Sequence, residues 1–205
     1  LFVDIVGFTA ICEQIAPKEI GELLNDYYHY TLKASSVFQG TVEKFIGDGV
    51  MIVFVAPKED KQHSLNAICC AQLFLSLVHP YNQSRKEKGR PAIQFRLGIH
   101  SGEVLAGTLG SDERMQYTVV GDTVNIAARL CGQGDPGKVI VSASAYQQAG
   151  GDKFLIAKDQ QLLKIKGKSS KTPVYTVDGI KDPYSTTIKQ YVFNITDTAE
   201  THEPT

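Results

Sequence analysis

The chain has 205 residues, 42% of them hydrophobic and 21% charged, with 18 Gly, 8 Pro and no Trp, which excludes collagen-like, low-complexity and wholly disordered classes. Its 21 Lys plus Arg stand against 22 Asp plus Glu, so a net charge of −1 offers no global field to nucleic acid or an anionic membrane, and any polyanion must be held locally. This length accommodates one large domain with a sizeable core, followed by a tail.

The longest apolar stretches, 50–55 and 68–78, fall short of the roughly 20 residues a membrane helix needs, so no direct membrane segment is expected. Leu1 stands inside an apolar run, which predicts that the sequence begins within a longer polypeptide, the cytoplasmic part of a membrane-attached or multidomain protein included. Cys12, Cys69, Cys70 and Cys131 form no C-x-x-C pair and lie in apolar stretches, which points to core packing in a reducing, cytoplasmic compartment. Asn194-Ile195-Thr196 fits a glycosylation triplet, but nothing else in the chain suggests secretion.

In chain order, residues 1–6 read as a buried strand that stops at Gly7, with Thr9 placed to cap a short helix. Pro17 suits a first helical turn, and Ile20, Leu23, Leu24, Tyr27, Tyr28, Leu32 and Val37 recur at helical spacing up to Gly40. Residues 41–46 and 50–55 read as strands joined through Gly47-Asp48-Gly49 in a hairpin. A second helix is expected over 60–79, followed by a polar helix end or loop. Strands at 93–99 and 103–109, separated by His100-Ser101-Gly102, suggest another hairpin. Gly121-Asp122-Thr123 opens a short helix over 124–130 that ends at Gly132 and Gly134. A strand at 138–141, a short helix at 144–148, strands at 162–166 and 174–177 and a turn at 167–170 complete the pattern, and periodicity fades beyond 178. The hairpins demand antiparallel pairing, so the class is α+β, helices packed on a mainly antiparallel sheet. No G-x-x-x-x-G-K-[ST] loop is present, which excludes a P-loop site.

Three constellations carry candidate chemistry. Asp4, ending the first strand, and Asp48, in the hairpin turn, reach the same sheet edge if their strands are neighbours, the arrangement that holds Mg²⁺ with substrate phosphates completing its shell. Taken singly, Asp48 is equally a turn former and Asp4 a strand-end acid. The segment Ile5-Val6-Gly7-Phe8-Thr9 adds backbone N–H groups leading into a helix, a cradle for phosphate. Asn125 and Arg129 are four apart on one helix face, either converging on a phosphoryl group or simply solvated. Lys44 precedes the Asp48 turn, and Lys164, Lys166 and Lys168 would share one face of a strand.

In combination, Phe2-Val3-Asp4-Ile5-Val6-Gly7-Phe8-Thr9, Glu43-Lys44-Phe45-Ile46-Gly47-Asp48-Gly49, Leu97-Gly98-Ile99-His100-Ser101-Gly102 and the stretch 121–130 resemble the class III nucleotidyl cyclase catalytic domain. This is the family of adenylyl and guanylyl cyclases, and the resemblance covers about residues 1–177. It implies a ferredoxin-like core and a homodimer with active sites at the subunit interface. Asp4, Asp48 and the backbone carbonyl of Ile5 would bind two Mg²⁺ or Mn²⁺ ions, with Gly7, Phe8 and Thr9 near the phosphates. Arg129 matches the family's transition-state arginine, Asn125 its ribose-orienting asparagine and Lys166 the lysine on the terminal phosphates. In the family the two acids come from one subunit and the base-reading and transition-state residues from the other.

Lys44 and Thr118 occupy the purine-reading positions. A lysine donor suits adenine N1, so the resemblance implies ATP as substrate and cyclic AMP and pyrophosphate as products. Thr118 stands where many adenylyl cyclases carry Asp, a departure shared with the bicarbonate-responsive subgroup common in bacteria. Arg114 is a further phosphate-ligand candidate, and His100 is left as a strand-end histidine. The alternatives are a guanylyl cyclase and a catalytically silent cyclase-like regulatory or dimerisation domain. A diguanylate cyclase is disfavoured because no G-G-[DE]-[DE]-F hairpin occurs. Residues 178–205 are expected to be a tail or linker, partly disordered.

Overall fold

The computed structural model describes residues 1–54, 61–111, 114–166 and 170–200. The first half runs β1 (Phe2–Ile5), α1 (Phe8–Gln14), α2 (Pro17–Val37), β2 (Thr41–Ile46), β3 (Gly49–Val53), α3 (His63–Glu87) and β4 (Phe95–Ile99). These strands lie side by side in the order β2-β3-β1-β4, and β1 pairs antiparallel with both β3 and β4. That order, with α2 and α3 as the crossovers, is the ferredoxin-like βαββαβ unit. The second half adds β5 (Leu105–Ser111), β6 (Arg114–Val120), α4 (Asp122–Gln133), β7 (Val139–Ser142), α5 (Ala143–Gln148), β8 (Leu155–Ala157), β9 (Gln161–Leu163), β10 (Thr172–Ile180) and α6 (Tyr184–Glu200). β7 extends the sheet by pairing parallel to β4, and β10 follows, flanked by β8 and β9.

The core lies between the sheet and helices α2 and α3. Tyr27 of α2, Phe74 of α3 and Phe95 of β4 meet ring to ring at centroid distances of 5.0–5.8 Å. The apolar spacing of α2 thus does what it predicts, burying Leu23 and Tyr27 at 1% exposure each. α4 packs on the opposite face, where Ile126 and Leu130 join Ile140, Ile165 and Val174 in a second cluster. Its approach to β4 depends on Gly98: a Cβ there would lie 2.2 Å from the Cys131 amide nitrogen.

Several expectations need correction. β4 and β5 do not form a hairpin: β4 is flanked by β1 and β7, while β5 pairs with β6 in a separate two-stranded ribbon. Alternation identifies a strand but does not choose its partner. Thr9 lies inside α1, and Gly7, at φ 68°, turns the chain into the helix with no side-chain cap. α3 continues through Pro80 to Glu87 because its last turns are anchored. There Asn82 exchanges two 2.8 Å hydrogen bonds with the Ile93 backbone, and Arg85 Nε donates to the Pro91 carbonyl.

The strand expected at 162–166 is shorter, so Lys164 and Lys166 lie beyond β9, and Lys168 and most of the turn at 167–170 fall outside the described residues. Nor does order end at 177. β10 runs to Ile180, and α6 packs against the core through Tyr184, Ile188, Val192 and Ile195. Their spacing of four, four and three is a helical stripe hidden in a polar segment. Asp182 opens the helix by accepting from the Thr186 amide and hydroxyl and from the Ser185 hydroxyl.

Candidate active site

β1 and β3 pair with Val3 opposite Val50, which places the end of β1 beside the β2–β3 turn and brings Asp4 to Asp48. Two tyrosines of α2 fix this edge. Tyr27 donates to the Val3 carbonyl at 3.1 Å, and Tyr28 donates to the Gly47 carbonyl at 2.7 Å while its ring packs at a tilt of 40° against Phe45. The carboxyl of Asp48 is pushed up to about 6, first by desolvation and then by hydrogen bonding to Asp4 and by its charge. Backbone N–H groups of Asp48 and Ile5 donate to it and pull the other way. The two acids predicted from sequence therefore form one cluster, with Gly7, Phe8 and Thr9 leading into α1 immediately after it.

Sequence reasoning missed Arg96. Its register opposite Asp4 on the neighbouring strand lets its guanidinium meet the Asp4 carboxylate at 2.8 Å and the Gly132 carbonyl at 3.1 Å. The available signal was a cation inside the otherwise apolar alternation of 93–99, opposite a strand that carries an acid.

The two residues expected at the purine-reading positions also converge. Lys44 on β2 donates from Nζ to Thr118 Oγ1 on β6 at 3.0 Å, across 74 positions of sequence. Asn125 and Arg129 lie on α4 away from the buried stripe of Ile126, Ala127, Leu130 and Cys131, Asn125 exposed and Arg129 half-buried. Among the described residues no ion pair joins Arg129 to Asp4 or Asp48. Lys166 is exposed at a turn whose preceding residue, Ile165, is fully buried beneath α4. Ile165 packs with Ile126 and Leu130 of α4, the helix that carries Arg129. The side chain of Arg114 lies outside the described residues.

A cavity of about 360 Å³ lies between the start of β1, the end of β4 and the first turns of α3, lined by residues that include Phe2, Phe54, Ser64, Ile99 and Gln148. Asp4, Asp48, Asn125 and Arg129 are not among its walls.

A family model described as "Adenylate and Guanylate cyclase catalytic domain" matches residues 1–180. The chain belongs to this family. Adenylate cyclase 1 of Rhizobium meliloti is 33% identical over 187 residues, covering 91% of this chain and 28% of that protein. The receptor-type guanylate cyclase gcy-28 of Caenorhabditis elegans is 35% identical over 192 residues, covering 88% of this chain and 14% of that protein. The chain thus spans less than a third of either relative.

Solved structures agree on the fold. The guanylyl cyclase Cya2 superposes at a TM-score of 0.84 with 28% identity, covering 89% of this chain and 92% of that one. The adenylyl cyclase CyaB from P. aeruginosa gives 0.83 at 28% identity, covering 88% and 93%. Enzymes of both purine specificities stand equally near, so the base must be argued from the residues.

Proposed function

We propose that this chain is the catalytic unit of an adenylyl cyclase that converts ATP to 3′,5′-cyclic AMP and pyrophosphate. The observation that carries the reading is the convergence of Asp4 and Asp48 on one sheet edge, with Lys44 bonded to Thr118 nearby. Two carboxylates and a backbone carbonyl suit Mg²⁺ or Mn²⁺, which take few protein ligands and complete their shells with substrate phosphates. Asp4, Asp48 and the Ile5 carbonyl would hold two such ions. When bound, they acidify the ribose 3′-hydroxyl and neutralise the departing triphosphate.

In the reaction the ribose 3′-oxygen bonds to the α-phosphorus, the bond from that phosphorus to the β-bridging oxygen breaks, and the hydroxyl proton leaves to solvent. Arg129 meets the charge that builds on the transferring phosphoryl group, and Asn125 orients the ribose. Lys166 and the amides of Gly7, Phe8 and Thr9 hold the phosphates. Lys44 donates to adenine N1. Thr118 accepts the lysine and has a lone pair left for the adenine amino group, but its hydroxyl also donates, so it tolerates guanine O6 better than a carboxylate would.

The site is read as shared between two copies of the chain, as the resemblance to the family implies. The β5–β6 ribbon supports the same arrangement: Leu105, Leu109 and Met115 are 64%, 40% and 59% exposed, an apolar surface suited to a second copy. Among the described residues no helix is long and apolar enough to cross a membrane. The free cysteines fit a cytoplasmic setting, where ATP is abundant.

Incubating the purified domain with Mn²⁺ and either ATP or GTP, and quantifying both cyclic products, tests the proposal. Cyclic AMP should dominate. Dominant cyclic GMP refutes the purine reading, and no product from a folded, dimeric sample refutes catalysis.

A further inference from the structure

β2 carries an irregularity at the purine-reading position. Val42 pairs with Ile52 and Lys44 with Met51, so Glu43 is an extra residue without a partner on β3. In a regular strand the side chains of Glu43 and Lys44 would point to opposite faces. The bulge re-aims them, and Glu43 Oε1 comes within 3.1 Å of Lys44 Nζ. The Glu43 side chain is 7% exposed, and neither of its oxygens has an aligned hydrogen-bond donor among the described residues. A carboxylate this secluded is costly unless a charge compensates it, and the nearby cation is the Lys44 ammonium.

We propose that Glu43 is a positioning residue for purine choice: it pins the Lys44 ammonium so that one N–H is left for the base. An ammonium has three donors. One goes to Thr118 at 3.0 Å, and the Glu43 carboxylate, with an oxygen 3.1 Å from Nζ, restrains the ammonium by its charge and leaves a donor for the base. A pinned donor distinguishes adenine N1 from guanine O6 by position, although both are acceptors. A lysine freed from Glu43 regains its rotamers and reaches either acceptor. The inference rests on the reading of Lys44 as the base reader. It also gives the bulge a purpose, since without it the acid and the lysine could not meet.

A mutant cycle tests the proposal, using Glu43→Gln, Lys44→Met and the double variant. Each is assayed for kcat and KM with ATP and GTP, and for equilibrium binding of 3′-deoxyATP and 3′-deoxyGTP, which lack the attacking hydroxyl. Glu43→Gln keeps the shape and removes the charge; the expected result is a fall in the ATP-to-GTP ratio of kcat/KM by about tenfold, carried by KM for ATP with kcat little changed. In the Lys44→Met background the same substitution should leave the ratio and the deoxynucleotide affinities where Lys44→Met alone puts them. Glu43→Asp, which retains the charge, should recover part of the preference and serves if the Gln variant folds poorly.

The positioning role is overturned by equal effects of Glu43→Gln on both nucleotides, by no effect on the ratio, or by the same effect with and without Lys44. If Lys44→Met itself leaves the ratio unchanged, the base-reader assignment falls and this inference with it. A neutral Glu43→Gln beside an altered Lys44→Met removes the positioning role alone.

Discussion

Asp4 and Asp48 bring two carboxyl groups together against one guanidinium, that of Arg96. Arg96 is shared with the Gly132 carbonyl at the end of α4, so one side chain ties the acid edge to the helix that carries Asn125 and Arg129. Gly98, two residues along the same strand, sets how closely that helix approaches. Gly98→Ala forces a Cβ toward the Cys131 amide nitrogen, 2.2 Å away, and backbone cannot yield as a flexible side chain would. Overpacking of this kind costs about 1–3 kcal/mol. Urea denaturation should register that loss, and turnover should fall with it because α4 is displaced.

At the scale of elements, local patterns were legible where one face of a segment is buried. The stripe of α2 and the Asp-Gly turn between β2 and β3 stand plainly in the sequence, and so do the paired acids they position. Strand partnership was not legible, because the alternation of β4 and β5 fits a hairpin as well as it fits two separate sheets. Arg96 escaped notice because its meaning depends on a register across strands 92 residues apart. Lys44 stood out in the sequence as a candidate through the resemblance, but the bulge that turns Glu43 toward it did not.

The final helix escaped because Tyr184, Ile188, Val192 and Ile195 are diluted by polar neighbours. Its packing changes what truncation should do. A chain ending at residue 182 loses a helix that rests on α3 and the burial of Ile188, which is 6% exposed. Burying one such side chain contributes about 1.5–3 kcal/mol. Thermal or urea unfolding of the truncated chain should show at least that loss, and unchanged stability would mean that α6 contributes nothing to the core.

For the whole molecule, the proposed site divides its residues between two copies of the chain, the acids from one and Arg129 from the other. Asp4→Ala and Arg129→Ala should each abolish turnover. Mixing them should restore about a quarter of wild-type activity if subunits exchange at random, because half the dimers are mixed and each assembles one intact site of two. No recovery at concentrations where sedimentation shows mixed dimers would mean that each site is built within one chain.

The hydrogen bond between Lys44 and Thr118 joins the main sheet to the β5–β6 ribbon, which is otherwise a separate sheet with exposed apolar side chains. If Lys44 reads the base as proposed, whatever shifts the ribbon also shifts the donor that faces the base. On that reading the ATP-to-GTP ratio should fall as the protein is diluted below its dimer range, and a ratio independent of concentration would separate the ribbon from purine choice.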